Sequence, residues 1–259
     1  MKISFHGGAQ DVTGACYLLE TGDLKLLVDC GLFQGSKECE DINFEKFKFD
    51  PASINYLLVT HAHIDHVGRI PKLVREGFRE KILSTKPTRD LARLLLEDSL
   101  CLAVRQNNQL FTTEDIEKTF TLWDTLDYGF EATLGEVKIK LHNSGHILGS
   151  ALIEIWTEGK HLLFTGDLGN TPAPIIGPTE ILSDDIDYCV IESAYGNRLH
   201  QPSPEGILEN IIEETVSRGG VLMIPAFAME RTQKLLFEIN ELAENGRIPK
   251  IPVFLDSPL

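Results

Sequence analysis

The 259-residue sequence has little cysteine, few basic residues for its number of acidic ones, and no long apolar run. Its cysteines show none of the paired spacings of a disulfide framework, which favours reduced thiols in a reducing compartment, and we expect Cys30 and Cys189 to lie in the core. No apolar stretch approaches the length of a membrane-spanning helix, and no signal-like segment follows Met1. These absences predict a cytoplasmic protein without membrane contact.

What the sequence does contain is a dense group of metal-binding side chains. The run His61-Ala62-His63-Ile64-Asp65-His66 directly follows the largely apolar residues 54–60, which predict a buried strand that ends in a loop. Imidazole and carboxylate ligands suit zinc, and a site without thiolates is typical of a catalytic metal. A polar surface loop or a helix cap is the alternative, but histidines this dense after a buried strand disfavour it.

Three further acidic or imidazole side chains end apolar strands in the same way. His146 follows the strand-like residues 137–141, and Asp167 ends an apolar run in the sequence Thr-Gly-Asp. Either alone would be weak evidence, because most such residues only shape turns. Their order after the histidine cluster indicates one metal centre. Asp29, at the end of another strand, is expected to accept the spare ring N–H of a ligating histidine.

Together these motifs resemble those of the metallo-β-lactamase superfamily, and within it the β-CASP branch of nucleases. The branch is indicated by residues 5–16, by the Gly-His-Ile-Leu-Gly-Ser-Ala sequence around His146, by the Ile-Glu-Ser-Ala-Tyr-Gly sequence around Glu192, and by residues 225–233. The resemblance covers essentially the whole chain. The most similar members are bacterial ribonucleases that resemble the eukaryotic endonuclease that cleaves pre-mRNA before polyadenylation.

The resemblance implies an α/β fold: an αββα sandwich with the start of an inserted α/β domain. The metallo-β-lactamase domain would span residues 1–200 without its C-terminal closing part, and residues 201–259 would be the N-terminal part of a β-CASP domain. Hydrophobic periodicity predicts helices at 67–76, 88–107, 204–218 and 231–244, and strands at 221–224 and 253–255 in the second part. Because two later histidines of the family have no counterpart, we expect a fragment with an incomplete second metal site.

The resemblance also implies two zinc ions, with the ligands His61, His63, His146, Asp65, His66 and Asp167. The first three would hold one ion, the next two would hold the other, and the last would bridge them. A hydroxide activated by the two ions would cleave RNA phosphodiester bonds. Asp65 and Glu192 are the implied catalytic residues, and a structural salt bridge is the alternative for Glu192. His6, His142 and His161 are interpreted as turn or strand histidines.

The implied partner is single-stranded RNA, and a homodimer is left open. The net charge of −15 means that any contact with RNA must be local. One basic group follows the histidine cluster and is interpreted as an ordinary exposed face: Arg69, Lys72, Arg75, Arg79 and Lys81. The second group consists of Arg198, His200 and Arg231. The family motifs beside it suggest substrate binding by Arg198 and Arg231, with a plain surface as an equal alternative.

Two other functions stay open at this point. The first is a small-molecule ester or thioester metallo-hydrolase on the same sandwich, which the segments at Glu192 and at 225–233 argue against. The second is a catalytically inactive scaffold subunit of an RNA-processing complex. The intact ligand positions through Asp167 argue against the scaffold, although the acidic charge favours both alternatives.

Overall fold

The computed structural model describes residues 1–169, 174–182, 185–199 and 206–257. The chain divides into two compact units, Met1–Ala194 and Tyr195–Leu259. The boundary predicted between residues 200 and 201 falls outside the described residues, and the interpretation of the two units as two family domains stays a prediction. Among the described residues, no helix is long and apolar enough to cross a membrane.

The first unit begins with a six-stranded sheet that sets the position of the metal-binding segments. In order across the sheet its strands are β1 (Lys2–Phe5), β2 (Tyr17–Thr21), β3 (Leu24–Val28), β4 (Tyr56–Leu58), β5 (Lys81–Ser84) and β6 (Trp123–Thr125). β1 to β3 are antiparallel, whereas β3 to β6 run parallel. Since the carboxyl ends of parallel strands meet at one edge, the residues after β3 and β4 lie side by side.

Helices carry the connections between the parallel strands of this sheet, as parallel pairing requires. They are α1 (Lys37–Asp41), α2 (Ile64–Val67), α3 (Ile70–Arg75), α4 (Lys86–Arg105) and α5 (Thr113–Thr121). The longest, α4, begins at the N-cap Thr85, whose side chain accepts a hydrogen bond from the Thr88 amide. α5 begins with a capping box between Thr112 and Asp115.

The second sheet packs on the first through an apolar core. Its strands are β7 (Glu131–Leu134), β8 (Val137–Asn143), β9 (Ala151–Thr157), β10 (Lys160–Phe164) and β11 (Tyr188–Val190), in the order β11-β10-β9-β8-β7. Alternate residues of β9, Ile153 and Ile155, join a buried cluster with Leu26, Val28 and Leu58 of the first sheet. Two stacked sheets with helices confirm the predicted α/β class.

The second unit contains two helices in its described part, α6 (Ile207–Ser217) and α7 (Arg231–Glu244). They pack around Ile212, Leu242 and Ile248. The strands predicted at 221–224 and 253–255 are wrong, because these segments have no ladder partner among the described residues. β-Branched and aromatic residues favour a strand only when another strand pairs with them.

The helix predicted over 67–76 is interrupted, so that it forms the end of α2 and all of α3. Between them, the backbone N–H of Arg69 donates to the Cys30 carbonyl at 2.9 Å and not to a helical carbonyl. Gly68 permits this close approach, since a Cβ there would lie 2.7 Å from the Leu32 Cβ. The short strand β6 was not predicted; it extends for three residues beside β5.

Candidate metal centre

The histidine cluster lies in the connection that leaves β4 and is held against the end of β3. The Cys30 amide donates to the His66 carbonyl at 2.8 Å, and the Ala15 amide donates to the Asp65 carbonyl at 2.9 Å. A Cβ on Gly31 would lie 1.5 Å from that Asp65 carbonyl oxygen, so only glycine allows this packing. Backbone contacts therefore fix where the Asp65 and His66 side chains begin.

Four predicted ligands come together at one point. His61, His63, His146 and Asp167 each offer a ligand atom, and these atoms all lie within 4.8 Å of one another. His63 Nδ1 is 3.1 Å from Nε2 of both His61 and His146, and Asp167 Oδ2 is 3.5 Å from His146 Nε2. Ligands at zinc–nitrogen distances of about 2.0–2.1 Å in a tetrahedron stand roughly 3.3 Å apart, so this set fits one zinc ion.

A second, smaller group lies next to the first and shares Asp167 with it. His66 Nε2 is 3.3 Å from Asp167 Oδ1 and 4.0 Å from Asp65 Oδ2. Asp65 and His66 are neighbours in the short helix α2. The donor set of one imidazole and two carboxylates suits a divalent cation that completes its shell with water. The assignment of all six side chains as metal ligands stays a prediction.

Asp29 lies behind the histidines, fully buried, at the carboxyl end of β3. Its Oδ2 accepts from His66 Nδ1 at 2.8 Å, and its Oδ1 accepts from the Thr60 amide at 2.8 Å. The Asp29 backbone has φ 59°, a left-handed conformation that aspartate tolerates better than most residues. The carboxylate thus holds the His66 ring by Nδ1 with Nε2 toward Asp167, and its role as the support of a metal-ligating histidine stays a prediction.

In the metal-free protein, the surroundings lower the pKa of His61 and His63 but raise the pKa of His66. Burial lowers the pKa of His61 well below its ordinary value, and it lowers the pKa of His63 to about 4. Burial would also lower the pKa of His66, but Asp29 and Asp167 outweigh it and raise that pKa well above its usual range. His61 and His63 are therefore held neutral, which is the form that binds a metal.

The two carboxylates of the smaller group shift in opposite directions. Burial raises the pKa of Asp65, partly offset by the charge of His66. Burial also acts to raise the pKa of Asp167, but its hydrogen bond to His66 and the charges of the surrounding histidines lower that pKa overall. Asp167 is consequently the more acidic of the two and the better anionic ligand.

Glu192 follows β11 and holds the turn that carries Asp167. Its Oε1 accepts from the Leu168 amide at 3.0 Å, and its Oε2 accepts from the Ala194 amide at 2.8 Å. The two oxygens therefore bind the backbone just after Asp167 and the backbone just after Glu192 itself. Its catalytic role stays a prediction, and this geometry gives it a part in positioning the Asp167 turn.

The predicted substrate-binding arginines lie in the second unit. The Arg198 guanidinium lies over the Tyr195 ring, 4.7 Å from its centroid, and Arg231 is the first residue of α7. Contact of either residue with substrate stays a prediction. His200, the third member of this group, lies outside the described residues.

The interpretation of the basic group after the histidine cluster as an exposed face is wrong for Arg69 and Lys72, whereas Arg75, Arg79 and Lys81 are exposed. Arg69 and Lys72 are 5% and 1% exposed. The Arg69 guanidinium lies over the Phe33 ring, and Lys72 Nζ donates to the Asn43 carbonyl at 2.7 Å. Both cations are used inside the protein, where they fasten residues 31–45 to α3, and they are not available to RNA.

Sequence reasoning missed a second buried polar cluster, outside the metal centre. Glu154 on β9 lies between two histidines: its Oε2 is 2.6 Å from His142 Nε2, and its Oε1 is 3.0 Å from His161 Nε2. The signal was a single glutamate inside the apolar run Leu-Ile-Glu-Ile-Trp, with histidines on the two neighbouring strands. Cys189 was expected in the core, but it is exposed.

The chain is similar to known proteins over most of its length. Residues 9–187 match the family profile described as the Metallo-beta-lactamase superfamily. The chain is 39% identical over its whole length to ribonuclease TTHA0252 of Thermus thermophilus, of which it covers 59%. It is 34% identical over 99% of its length to transcription termination factor FttA of Methanocaldococcus jannaschii, and 28% identical over 98% to endoribonuclease YSH1 of Kluyveromyces lactis.

The chain spans only part of these relatives: it covers 42% of the archaeal termination factor and 35% of the yeast endoribonuclease. The profile match includes every predicted metal ligand, from His61 to Asp167. The chain therefore belongs to the metallo-β-lactamase superfamily and, as its motifs predicted, to the β-CASP branch.

Proposed function

We propose that this chain carries the metal centre of a ribonuclease that hydrolyses RNA phosphodiester bonds with divalent cations, zinc by preference. The observation that carries the proposal is the sharing of Asp167 between two groups of ligand atoms, with Oδ2 toward His146 and Oδ1 toward His66. Neighbouring metal sites that share a carboxylate are suited to phosphate ester hydrolysis. Relatives named ribonuclease and endoribonuclease support RNA as the substrate.

The residues present fit two cations of unequal binding strength. His61, His63 and His146 would hold the first, Asp65 and His66 would hold the second, and Asp167 would contribute to both. When bound, such cations lower the pKa of a water molecule and neutralise negative charge on the phosphate.

Side chains of this chain would accept the proton, position the ligands and bind the substrate. Asp65 would accept the proton that the attacking water loses, since its carboxylate lies beside His66 in the smaller ligand group. Asp29 holds the His66 ring by its Nδ1, and Glu192 holds the turn after Asp167 by the Leu168 amide.

Single-stranded RNA is the preferred substrate, and Arg198 and Arg231 are the proposed phosphate contacts in the second unit. Within this proposal, the first unit is the metallo-β-lactamase domain and the second begins the β-CASP domain.

The test is cleavage of a labelled single-stranded RNA, with duplex RNA and single-stranded DNA beside it. It uses the 259-residue chain and the product of the complete reading frame that encodes it, each loaded with zinc. Asp65→Asn should lower the rate by about 10²–10⁴-fold, because it removes the proton acceptor. The matched control is Asp124→Asn, an exposed aspartate paired with Lys81 at 2.7 Å, which should cut at the parent rate.

RNA cleavage that survives both Asp65→Asn and removal of the metal would assign the activity to another site. Absence of RNA cleavage from both proteins, together with hydrolysis of a small ester or thioester, would replace the proposal by the metallo-hydrolase alternative. Light scattering on the same samples tests whether the protein forms a homodimer.

A further inference from the structure

Thr60, the residue before the histidine cluster, lies at the junction of the two ligand groups. It is 1% exposed. Its Oγ1 is 2.7 Å from Asp29 Oδ2 and 3.1 Å from His61 Nδ1. His66 Nδ1 is farther away, at 3.4 Å, and already has Asp29 as its partner at 2.8 Å. One hydroxyl therefore contacts both Asp29, which holds His66 in the smaller ligand group, and His61, which belongs to the four-ligand group.

The number of available protons determines which atom donates and which accepts in each of these hydrogen bonds. A threonine hydroxyl has one proton to donate, and an ionised carboxylate can only accept. The Thr60 proton therefore goes to Asp29, at the shorter of the two distances. The lone pairs of Oγ1 are left facing His61 Nδ1, and a bond between them requires the proton to be on the ring nitrogen.

A protonated Nδ1 determines the metal-binding atom of His61. In a neutral imidazole only one nitrogen carries the proton, so Nε2 then has a free lone pair. Nε2 is the atom that lies 3.1 Å from His63 Nδ1 and 3.8 Å from Asp167 Oδ2. The hydrogen bond from Nδ1–H to Thr60 thus leaves the correct nitrogen free at the centre of the first ligand group.

The surrounding backbone holds Thr60 in this position. Its amide donates to Asp29 Oδ1 at 2.8 Å, and its carbonyl accepts from the Ala151 amide at 2.8 Å. The Thr-Gly-Asp turn also packs directly on it: a Cβ at Gly166 would lie 2.7 Å from Thr60 Cβ and 2.8 Å from Oγ1. Gly166 has φ 52° and leaves room for the threonine side chain. Thr60 is therefore packed between Asp29 and the turn that delivers Asp167.

We propose that Thr60 is a positioning residue that sets the ring tautomer of His61 and links the supports of the two cation sites through Asp29. This inference deepens the proposed function and rests on its metal centre, but its test needs no RNA. The hydroxyl is the group that carries this role, since the contacts with Asp29 and with His61 both run through Oγ1.

The experiment compares three variants with the parent chain. Thr60→Val keeps the volume and removes the hydroxyl, and Thr60→Ser keeps the hydroxyl. Thr119→Val is the matched control: Thr119 is fully buried, and among the described residues its hydroxyl bonds the Asp115 carbonyl alone, at 2.8 Å. The first readout is the His61 tautomer in the metal-free protein, from long-range ¹H–¹⁵N NMR correlations assigned with His61→Gln. The second is zinc affinity, from competition with a chelator.

We expect the parent, Thr60→Ser and Thr119→Val to show the Nδ1–H tautomer and similar zinc affinity. Thr60→Val should show a mixture of tautomers and bind zinc about 10–100-fold more weakly, the usual effect of losing a group that orients a metal ligand. The inference is overturned if Thr60→Val keeps both the tautomer and the affinity, if Thr60→Ser behaves like Thr60→Val, or if the parent binds no zinc.

The two proposals fail separately. If the parent chain shows the tautomer and its zinc affinity depends on the Thr60 hydroxyl, but the complete protein does not cut RNA, the proposed function fails and the metal-site inference stands. RNA cleavage by the complete protein, with both the tautomer and the zinc affinity unchanged in Thr60→Val, does the reverse.

Discussion

Asp167 presents Oδ1 to His66, 3.3 Å from its Nε2. The other oxygen, Oδ2, faces the His61 and His146 side of the centre at 3.8 and 3.5 Å from their Nε2 atoms. One carboxylate therefore serves both ligand groups, and its Thr-Gly-Asp turn is held from behind by Glu192. Because both ligand groups share this carboxylate, a substitution at Asp167 should weaken metal binding at both sites.

Asp167→Asn should weaken zinc binding at both sites, because the amide keeps the shape of the side chain but loses the negative charge and one ligand oxygen. We expect a loss of about 10–100-fold in affinity, with the fold retained. Equilibrium dialysis followed by elemental analysis measures it. Asp187→Asn is the control, since Asp187 is an aspartate outside the centre that pairs with Lys160 at 2.7 Å. Equal zinc content in both variants would contradict the bridging assignment.

His61→Ala and His66→Ala should lower the metal content unequally. His61 belongs to the group with four gathered ligand atoms, whereas the described residues supply only Asp65, His66 and the shared Asp167 to the other group. The first site should therefore be the better occupied in the purified parent, and His61→Ala should cost more metal. Elemental analysis at a series of zinc concentrations decides it. Equal losses, or a parent without metal, would show that the ligands are assigned wrongly.

Glu154→Leu should destabilise the first unit by about 2–6 kcal/mol. The substitution leaves two buried ring nitrogens, on His142 and His161, without the carboxylate that bonds them, and each unsatisfied buried polar group costs about 1–3 kcal/mol. Urea unfolding measures the change. The control Glu131→Leu removes a glutamate that is paired with Lys138 on the surface, and it should change stability little. Similar stabilities for the two variants would mean that the histidines find other partners.

The metal-free protein should lose stability as the pH falls from about 6.5 to about 4, and His63 should account for part of the loss. Burial lowers the pKa of His63 in the folded state to about 4, so the unfolded chain takes up a proton at higher pH than the folded chain does. Protonation in this range therefore favours unfolding, by at most about 3 kcal/mol from this group.

The measurement is the free energy of unfolding in urea at several pH values, for the parent and for His63→Gln. The difference between the two proteins should be constant above about pH 7.5, where His63 is neutral in both states, and should change steadily below about pH 6.5. A difference that is independent of pH throughout would contradict the lowered pKa of His63.

The sequence by itself determined the family and the identity of the candidate ligands. Three histidines and a carboxylate within one short run are already close in space, whatever the rest of the chain does, because six residues cannot separate them far. Chain order and the apolar strands before His146 and Asp167 indicated that these residues join them. Strand and helix types were also readable from periodicity in long elements with a partner to pack against, such as β8 and α4.

Only the tertiary structure decided how the centre is supported. Thr60 contacts Asp29 because β3 and β4 pair in parallel, and local spacing does not encode that pairing. Arg69 and Lys72 have charges typical of a surface, yet both are buried against backbone carbonyls that come from distant residues. Residues 221–224 have the composition of a strand but no partner among the described residues. In each case the outcome depends on a neighbour that is remote in sequence, and local propensity carries no information about that neighbour.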